Sequence, residues 1–211
     1  GGTRRKNGTL RAFEEKGGVM GSDNIEAGKQ ADWVVLAVKP FQIREGLAEI
    51  QPHLDPARHV LISLVTSVWI KDIQEIVGEK FPIFRTMPNT AIAIRESMTC
   101  ICPHQASAEQ VNYVTSLFEQ LGKTVFIEEK LMDAATVLGA CGTAYAMRYI
   151  RANIQGGIEI GFSAAAASLI AAQTVKGAAE LLLQPNTHPQ QEIHKVTTPK
   201  GCTIAGLNEM E

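Results

Sequence analysis

The chain has 211 residues, enough for one large or two small domains with a proper buried core. Hydrophobic residues make up 45%, charged residues 20%, and the formal net charge is −2, which gives no electrostatic footprint for a nucleic-acid binder. No apolar run approaches the roughly 20 residues of a membrane span, and the opening Gly1-Gly2-Thr3-Arg4-Arg5-Lys6 has no apolar core of a signal peptide, so a cytoplasmic protein without membrane or nucleic-acid partners is expected.

The first two-thirds alternates strand-like and helix-like pieces. Trp33-Val34-Val35-Leu36-Ala37-Val38 is a continuous β-rich run closed by Lys39-Pro40, as expected of a strand buried on both faces. A helix is predicted from about Gln42 to Ile50, ended by Pro52. His59 to Val65 reads as a second buried strand, and Ile70, Ile73, Ile76 and Val77 recur at helical spacing. Phe81 to Met87 and Met98 to Cys102 read as strands, Ala108 to Leu121 as a helix, and Thr124 to Ile127 as a last strand. Strands alternating with helices argue for βαβ units and a mostly parallel sheet.

After Glu128-Glu129-Lys130 the texture changes. Leu131 to Leu138, Ala144 to Gln155 and Ser163 to Leu183 all read as Ala-rich helices. The last is apolar nearly all round and must be covered on every side. A second copy of the chain is the natural cover, which predicts a homodimer or higher homo-oligomer. The expected organisation is an incomplete doubly wound, Rossmann-like α/β domain over residues 1–129, followed by an all-helical dimerisation and substrate domain over residues 130–211.

No G-x-G-x-x-G follows a strand, so the first strand and phosphate loop of such a fold are expected to be missing and the chain to enter it partway. Thr3, Arg4 and Arg5 stand where a second strand would end, and a basic pair there suits a ribose 2′-phosphate. Cys100 and Cys102, on one predicted strand, are expected to point to opposite faces. With no completing His or Cys cluster, the four cysteines are read as free thiols and no metal site is expected. The five histidines have no identifiable partner and receive no chemistry.

Near the end, His194-Lys195-Val196-Thr197-Thr198-Pro199-Lys200-Gly201-Cys202-Thr203-Ile204 reads as a polar loop running into a helix start. Such a start offers N–H groups and a partial positive charge to a small carboxylate or phosphate. The alternative is a Thr-capped helix entry with no ligand.

Several stretches together resemble the Δ1-pyrroline-5-carboxylate reductase family. Ala31-Asp32 with Val35 to Pro40, Arg85-Thr86-Met87-Pro88-Asn89-Thr90, Lys130 to Ala134, Gly139 to Tyr145, Ala172 to Val175 with Gly177-Ala178-Ala179, and Val196 to Leu207 follow the family's order. The family's Gly-rich loop and its helical tail beyond Leu207 are not matched. Lys200 replaces the first Gly of a Gly-Gly pair, and Ala140-Cys141-Gly142-Thr143 replaces a Gly-Ser-Gly-Pro loop.

The resemblance implies reduction of a cyclic imine carboxylate, Δ1-pyrroline-5-carboxylate, to L-proline by NADPH, with NADH as the alternative donor. It places Asn24, Ala37, Val38, Lys39, Pro40, Thr66, Asn89, Thr90 and Lys195 at the cofactor. It also places the backbone N–H groups of Gly201, Cys202 and Thr203 at the substrate carboxylate, with the Thr203 hydroxyl near the imine nitrogen as an orienting or proton-relay group. Hydride transfer to a protonated imine needs positioning and a dry pocket rather than a nucleophile, and no Ser/His/Asp set is present. Two rivals stay open: another two-domain NADP-dependent dehydrogenase of the 6-phosphogluconate or 3-hydroxyacid type, and a non-catalytic dimerising fragment.

Overall fold

The computed structural model describes residues 2–3, 15, 18, 20–21, 23–184 and 187–211. The elements in chain order are β1 (Gly2–Thr3), β2 (Met20–Gly21), α1 (Asn24–Gln30), β3 (Trp33–Leu36), α2 (Ile43–Ile50), β4 (Val60–Ser63), α3 (Ile70–Val77), β5 (Ile83–Met87), β6 (Ser97–His104), α4 (Ala108–Glu119) and β7 (Gly122–Phe126). There follow α5 (Met132–Ala135), a π-helix (Thr136–Cys141), α6 (Gly142–Glu159), α7 (Ala164–Leu183), α8 (Pro189–Val196) and α9 (Cys202–Met210). The chain divides into two compact units, Gly1–Ala144 and Tyr145–Glu211.

In the first unit β3, β4, β5, β6 and β7 form one five-stranded sheet in that order. β3 to β5 are parallel, β6 runs antiparallel to β5, and β7 is parallel to β6. The mostly parallel α/β sheet read from the alternating pattern is therefore present, with one reversal at β6. β1 pairs in parallel with β2 in a separate two-stranded sheet. Thr3 is the last residue of β1, while Arg4 and Arg5 lie outside the described residues.

Period-two alternation sends β-strand side chains to both faces. Leu61, Ile83, Met87, Cys100 and Cys102 face one core cluster with Leu47, Ile70, Ile73 and Val77, whose spacing gives α2 and α3 one apolar stripe each. Val60, Ile62, Phe84 and Ile101 face the other, packed on Val114 and Phe118 of α4. The expectation that Cys100 and Cys102 face opposite ways is corrected here: residues two apart in a strand share a face, and Ile101 between them takes the other. Gly122 opens β7 at φ 141°, where a Cβ would lie 2.0 Å from the Ser97 carbonyl oxygen, so only glycine permits this approach of β7 to β6.

The segment following residue 129 differs from its expected form. Leu131 to Leu138 is not one helix, because α5 passes after one turn into the π-helix, and the stretch over 140–143 is helical rather than a loop. Met132 is buried in the sheet core, which fastens this stretch to the first unit, and by compactness the first unit runs on to Ala144.

Among the described residues of the second unit only Ala167 and Ala171, both in α7, are buried. Its small side chains allow close packing, with Ala167 Cβ meeting Gly157 of α6. The expectation that no apolar run approaches membrane length is also corrected: α7 has 20 residues and is long and apolar enough, by length and composition alone, to cross a membrane. Its apolar character is built largely from alanine, which spreads it around the helix instead of concentrating it in one conspicuous block.

Candidate functional site

Because β3, β4 and β5 are adjacent and parallel, the loops that follow them emerge at one edge of the sheet. Leu36 pairs with Ser63, and Ser63 with Arg85, so Ala37 to Pro40, Thr66, and Asn89 with Thr90 all lie just beyond the carboxyl ends of neighbouring strands. That edge is where open α/β sheets hold ligands. A cavity of about 440 Å³ lies beside β3, lined by Ala37 and Val38, by Asn24, Ala27 and Gly28 of α1, and by Leu47 of α2. Asn24 is thereby brought to the same cavity as Ala37 and Val38.

Local chemistry fixes each part. Asp23 caps α1 by accepting the amides of Ile25 (2.9 Å) and Glu26 (3.1 Å), and the Asn24 amide nitrogen donates to Glu49 at 2.8 Å. The other end of α1 is held by two residues that sequence reasoning left without a role. His59 is buried with Nε2 3.2 Å from the Gly28 carbonyl, and its Nδ1 accepts the Asp55 amide at 2.8 Å. Arg58 donates to the Lys29 carbonyl at 3.0 Å and pairs with Asp32 at 2.6 Å. Lys39 is exposed and precedes a tight turn over Pro40–Gln42, its amide meeting Gln42 Oε1 at 3.4 Å. Thr66 is exposed beside Ser67, which takes a left-handed φ of 58°.

Asn89 is half-buried and ties three segments together. Its side-chain oxygen accepts the Ala91 amide (3.0 Å), its own amide donates to Ser97 Oγ (3.1 Å), and its Nδ2 donates to the Gly139 carbonyl of the π-helix (3.2 Å). Single π-turns of this kind recur at functional sites. Thr90, next to it, is exposed at the start of a short 3₁₀ turn.

Lys195, Gly201, Cys202 and Thr203 belong to the second unit. His194 to Val196 are the end of α8 rather than loop, and α9 starts at Cys202, earlier than the apolar run from Ile204 suggested. Proline at its first position and a His188 cap with Gln191 start α8, and the proline is a signal readable in the sequence. Lys195 is paired with Glu192 at 2.7 Å, and this bond, with a second from Thr187, holds the Glu192 carboxyl below its ordinary range. Lys200 takes a left-handed φ of 59°, a backbone shape glycine adopts freely, which accounts for the family's glycine at the place Lys200 fills. A Cβ on Gly201 would come within 2.4 Å of Thr198 Oγ1. The Gly201 amide closes the turn on the Thr198 carbonyl at 3.0 Å, which narrows the expected carboxylate donors to Cys202 and Thr203 in the first turn of α9. Thr203 is half-buried.

Burial pushes the Cys100 and Cys102 thiols up, and Glu129 raises Cys102 further while Arg85 opposes it. Among the described residues no group of three or more His, Cys, Asp or Glu side chains is placed to hold a metal ion.

A Rossmann-like sheet whose three parallel strands send their loops to one edge, followed by an all-helical unit, is the plan shared by two-unit dinucleotide-binding oxidoreductases. Pyrroline-5-carboxylate reductase 2 of Dictyostelium discoideum is 41% identical to this chain over 213 residues, covering 94% of the chain and 71% of that protein. The chain belongs to the pyrroline-5-carboxylate reductase family.

Residues 129–211 match the family described as pyrroline-5-carboxylate reductase dimerisation, and residues 1–67 match NADP oxidoreductase, coenzyme F420-dependent. Pyrroline-5-carboxylate reductase 1 of the same organism is 41% identical over 221 residues, which cover 99% of this chain but only 40% of that protein. Among solved structures, a pyrroline-5-carboxylate reductase from Coxiella burnetii superposes with a TM-score of 0.91 at 29% identity, covering 99% of this chain and 78% of its own. The Plasmodium falciparum pyrroline carboxylate reductase with NADP bound gives a TM-score of 0.85 at 30% identity, over 99% of this chain and 76% of its own.

Proposed function

We propose that the protein reduces Δ1-pyrroline-5-carboxylate to L-proline, the last step of proline biosynthesis, with NADPH as donor and NADH as the alternative. The observation that carries this reading is the meeting of Ala37 to Pro40, Thr66 and Asn89 with Thr90 beyond three adjacent parallel strands, next to a cavity that also takes in Asn24. The fit is good: small side chains at Ala37 and Ala27 leave room for a flat group beside β3, and Asn24 stands on the same cavity wall. Residues 1–129 carry the coenzyme and residues 130–211 the dimer contact and substrate, with Met132 packed into the sheet core.

When bound, the nicotinamide coenzyme supplies the hydride. Ala37 to Pro40 and Thr66 line its path, with Thr3, Arg4 and Arg5 toward the ribose phosphate and Lys195 as a further contact. Asn89 and Thr90 orient its reactive end, and the Asn89 bond to Gly139 fixes that loop. The amides of Cys202 and Thr203 hold the substrate carboxylate with help from the α9 dipole. The Thr203 hydroxyl hydrogen-bonds near the imine nitrogen, orienting a substrate that is already electrophilic when protonated.

The exposed apolar surface of α7 and the match of 129–211 to a dimerisation family support a homodimer as the assembled form. Free cysteines at 100, 102, 141 and 202 fit a reducing cytoplasm. The test is NADPH oxidation by the intact protein with pyrroline-5-carboxylate, beside 6-phosphogluconate and 3-hydroxyisobutyrate with NADP+. Turnover with the imine alone is expected. Turnover with either hydroxy acid, or with none of the three, would overturn the assignment.

A further inference from the structure

One charged side chain in the sheet core has no part in the reaction as described. Arg85, in β5, is 2% exposed. Its Nη1 donates to Glu129 Oε1 at 3.0 Å, its guanidinium lies 5.5 Å from the ring centre of Trp69, and its Nη2 is buried without a hydrogen-bond partner among the described residues. The same Glu129 oxygen accepts the amide of Ile70, the first residue of α3, at 2.6 Å. One carboxylate thus serves a buried guanidinium and a helix N-terminus together.

An apolar pair of similar size often serves stability as well as a buried ion pair, so stability alone does not explain this one. The three segments it joins suggest another role. Trp69 and Ile70 end the loop that carries Thr66. Arg85 stands four residues before Asn89 on the same strand and loop. Glu129 begins the connection that reaches, at Gly139, the carbonyl held by Asn89. Glu129 therefore ties one end of that connection to both loops, and Asn89 ties the other end.

We propose that Glu129, through Arg85 and the Ile70 amide, is a positioning residue that sets the Thr66 and Asn89 loops in register for the coenzyme. This rests on the reading of those loops as coenzyme-side. Glutamine at 129 keeps the shape and an acceptor oxygen but removes the charge that balances Arg85, so the loops loosen while the sheet persists.

The test is hydrogen–deuterium exchange of the intact, ligand-free Glu129→Gln protein, beside NADPH affinity measured by tryptophan fluorescence. Amides over 64–72 and 88–97 are expected to exchange at least tenfold faster than in the wild type, with 108–119 of α4 unchanged, and the Kd for NADPH to rise about tenfold. The double variant Arg85→Met, Glu129→Leu is expected to regain the wild-type melting temperature but not the slow loop exchange. Unchanged exchange in the two loops, acceleration spread equally over α4, or slow loop exchange restored in the double variant would each overturn the proposal. A wild type that does not reduce the imine would sink the functional reading, and loop exchange would still judge this one.

Discussion

Ile170 and Leu181 lie eleven residues apart on α7, about three helical turns, and so share one stripe of its surface. They are 49% and 52% exposed, so about half of each side chain is left for a partner to cover. Full burial of such a side chain is worth about 1.5–3 kcal/mol, and half of it about 0.8–1.5. In a two-fold dimer each contact occurs twice, so the two residues together contribute about 3–6 kcal/mol to association. Replacing both by serine should raise the dimer dissociation constant by about 10²–10⁴-fold at ~1.4 kcal/mol per tenfold. Because both sites are half-exposed in the single chain, the helical circular dichroism of the variant should stay at the wild-type level. Sedimentation equilibrium over a concentration series measures the shift. A variant that dimerises as tightly as the wild type would refute the idea that this stripe is the dimer contact.

Replacing Thr203 by alanine should lower turnover about tenfold, the worth of one well-placed hydrogen bond, and leave NADPH affinity within about twofold. Wild-type turnover in that variant would remove Thr203 from the reaction. Glu192 gives a pH prediction: its folded pKa lies below its unfolded one, so its contribution is complete above the ordinary carboxylate range and is lost as pH falls through the folded value. Melting temperature against pH should therefore fall less steeply on the acid side in Lys195→Met, and an unaltered profile would contradict the Lys195–Glu192 bond as its cause.

Much of the sheet was legible because each strand is a short run rich in β-branched, aliphatic or aromatic residues, as in the fully buried Val60 to Ser63, and because Ile70, Ile73 and Val77 keep helical phase and are all buried. Trp33 to Leu36, expected to be buried on both faces, is instead an edge strand with only Leu36 buried. The coenzyme role expected of the loops beyond β3, β4 and β5 came from the family resemblance, and strand polarity adds only that the carboxyl end of a parallel strand is where open sheets hold ligands. The π-helix could not be anticipated, since nothing local in Thr136 to Cys141 announces it and the residue that bonds its Gly139 carbonyl, Asn89, lies fifty residues away. Helix α1 has a start signal in Asp23 followed by Glu26, but Gly28 and Lys29 leave it without an apolar stripe, so periodicity does not announce it. The Arg85–Glu129 pair joins residues 44 apart in sequence, with nothing local at either to announce the other.

The account's central claim is hydride transfer to a cyclic imine. It is tested most directly by running the reaction with NADPH carrying deuterium at C4 of the dihydronicotinamide, on the face the enzyme uses, and weighing the product. The prediction is L-proline with one deuterium, on the ring carbon that was double-bonded to nitrogen. Proline without the label, or no proline from an intact preparation, would contradict it.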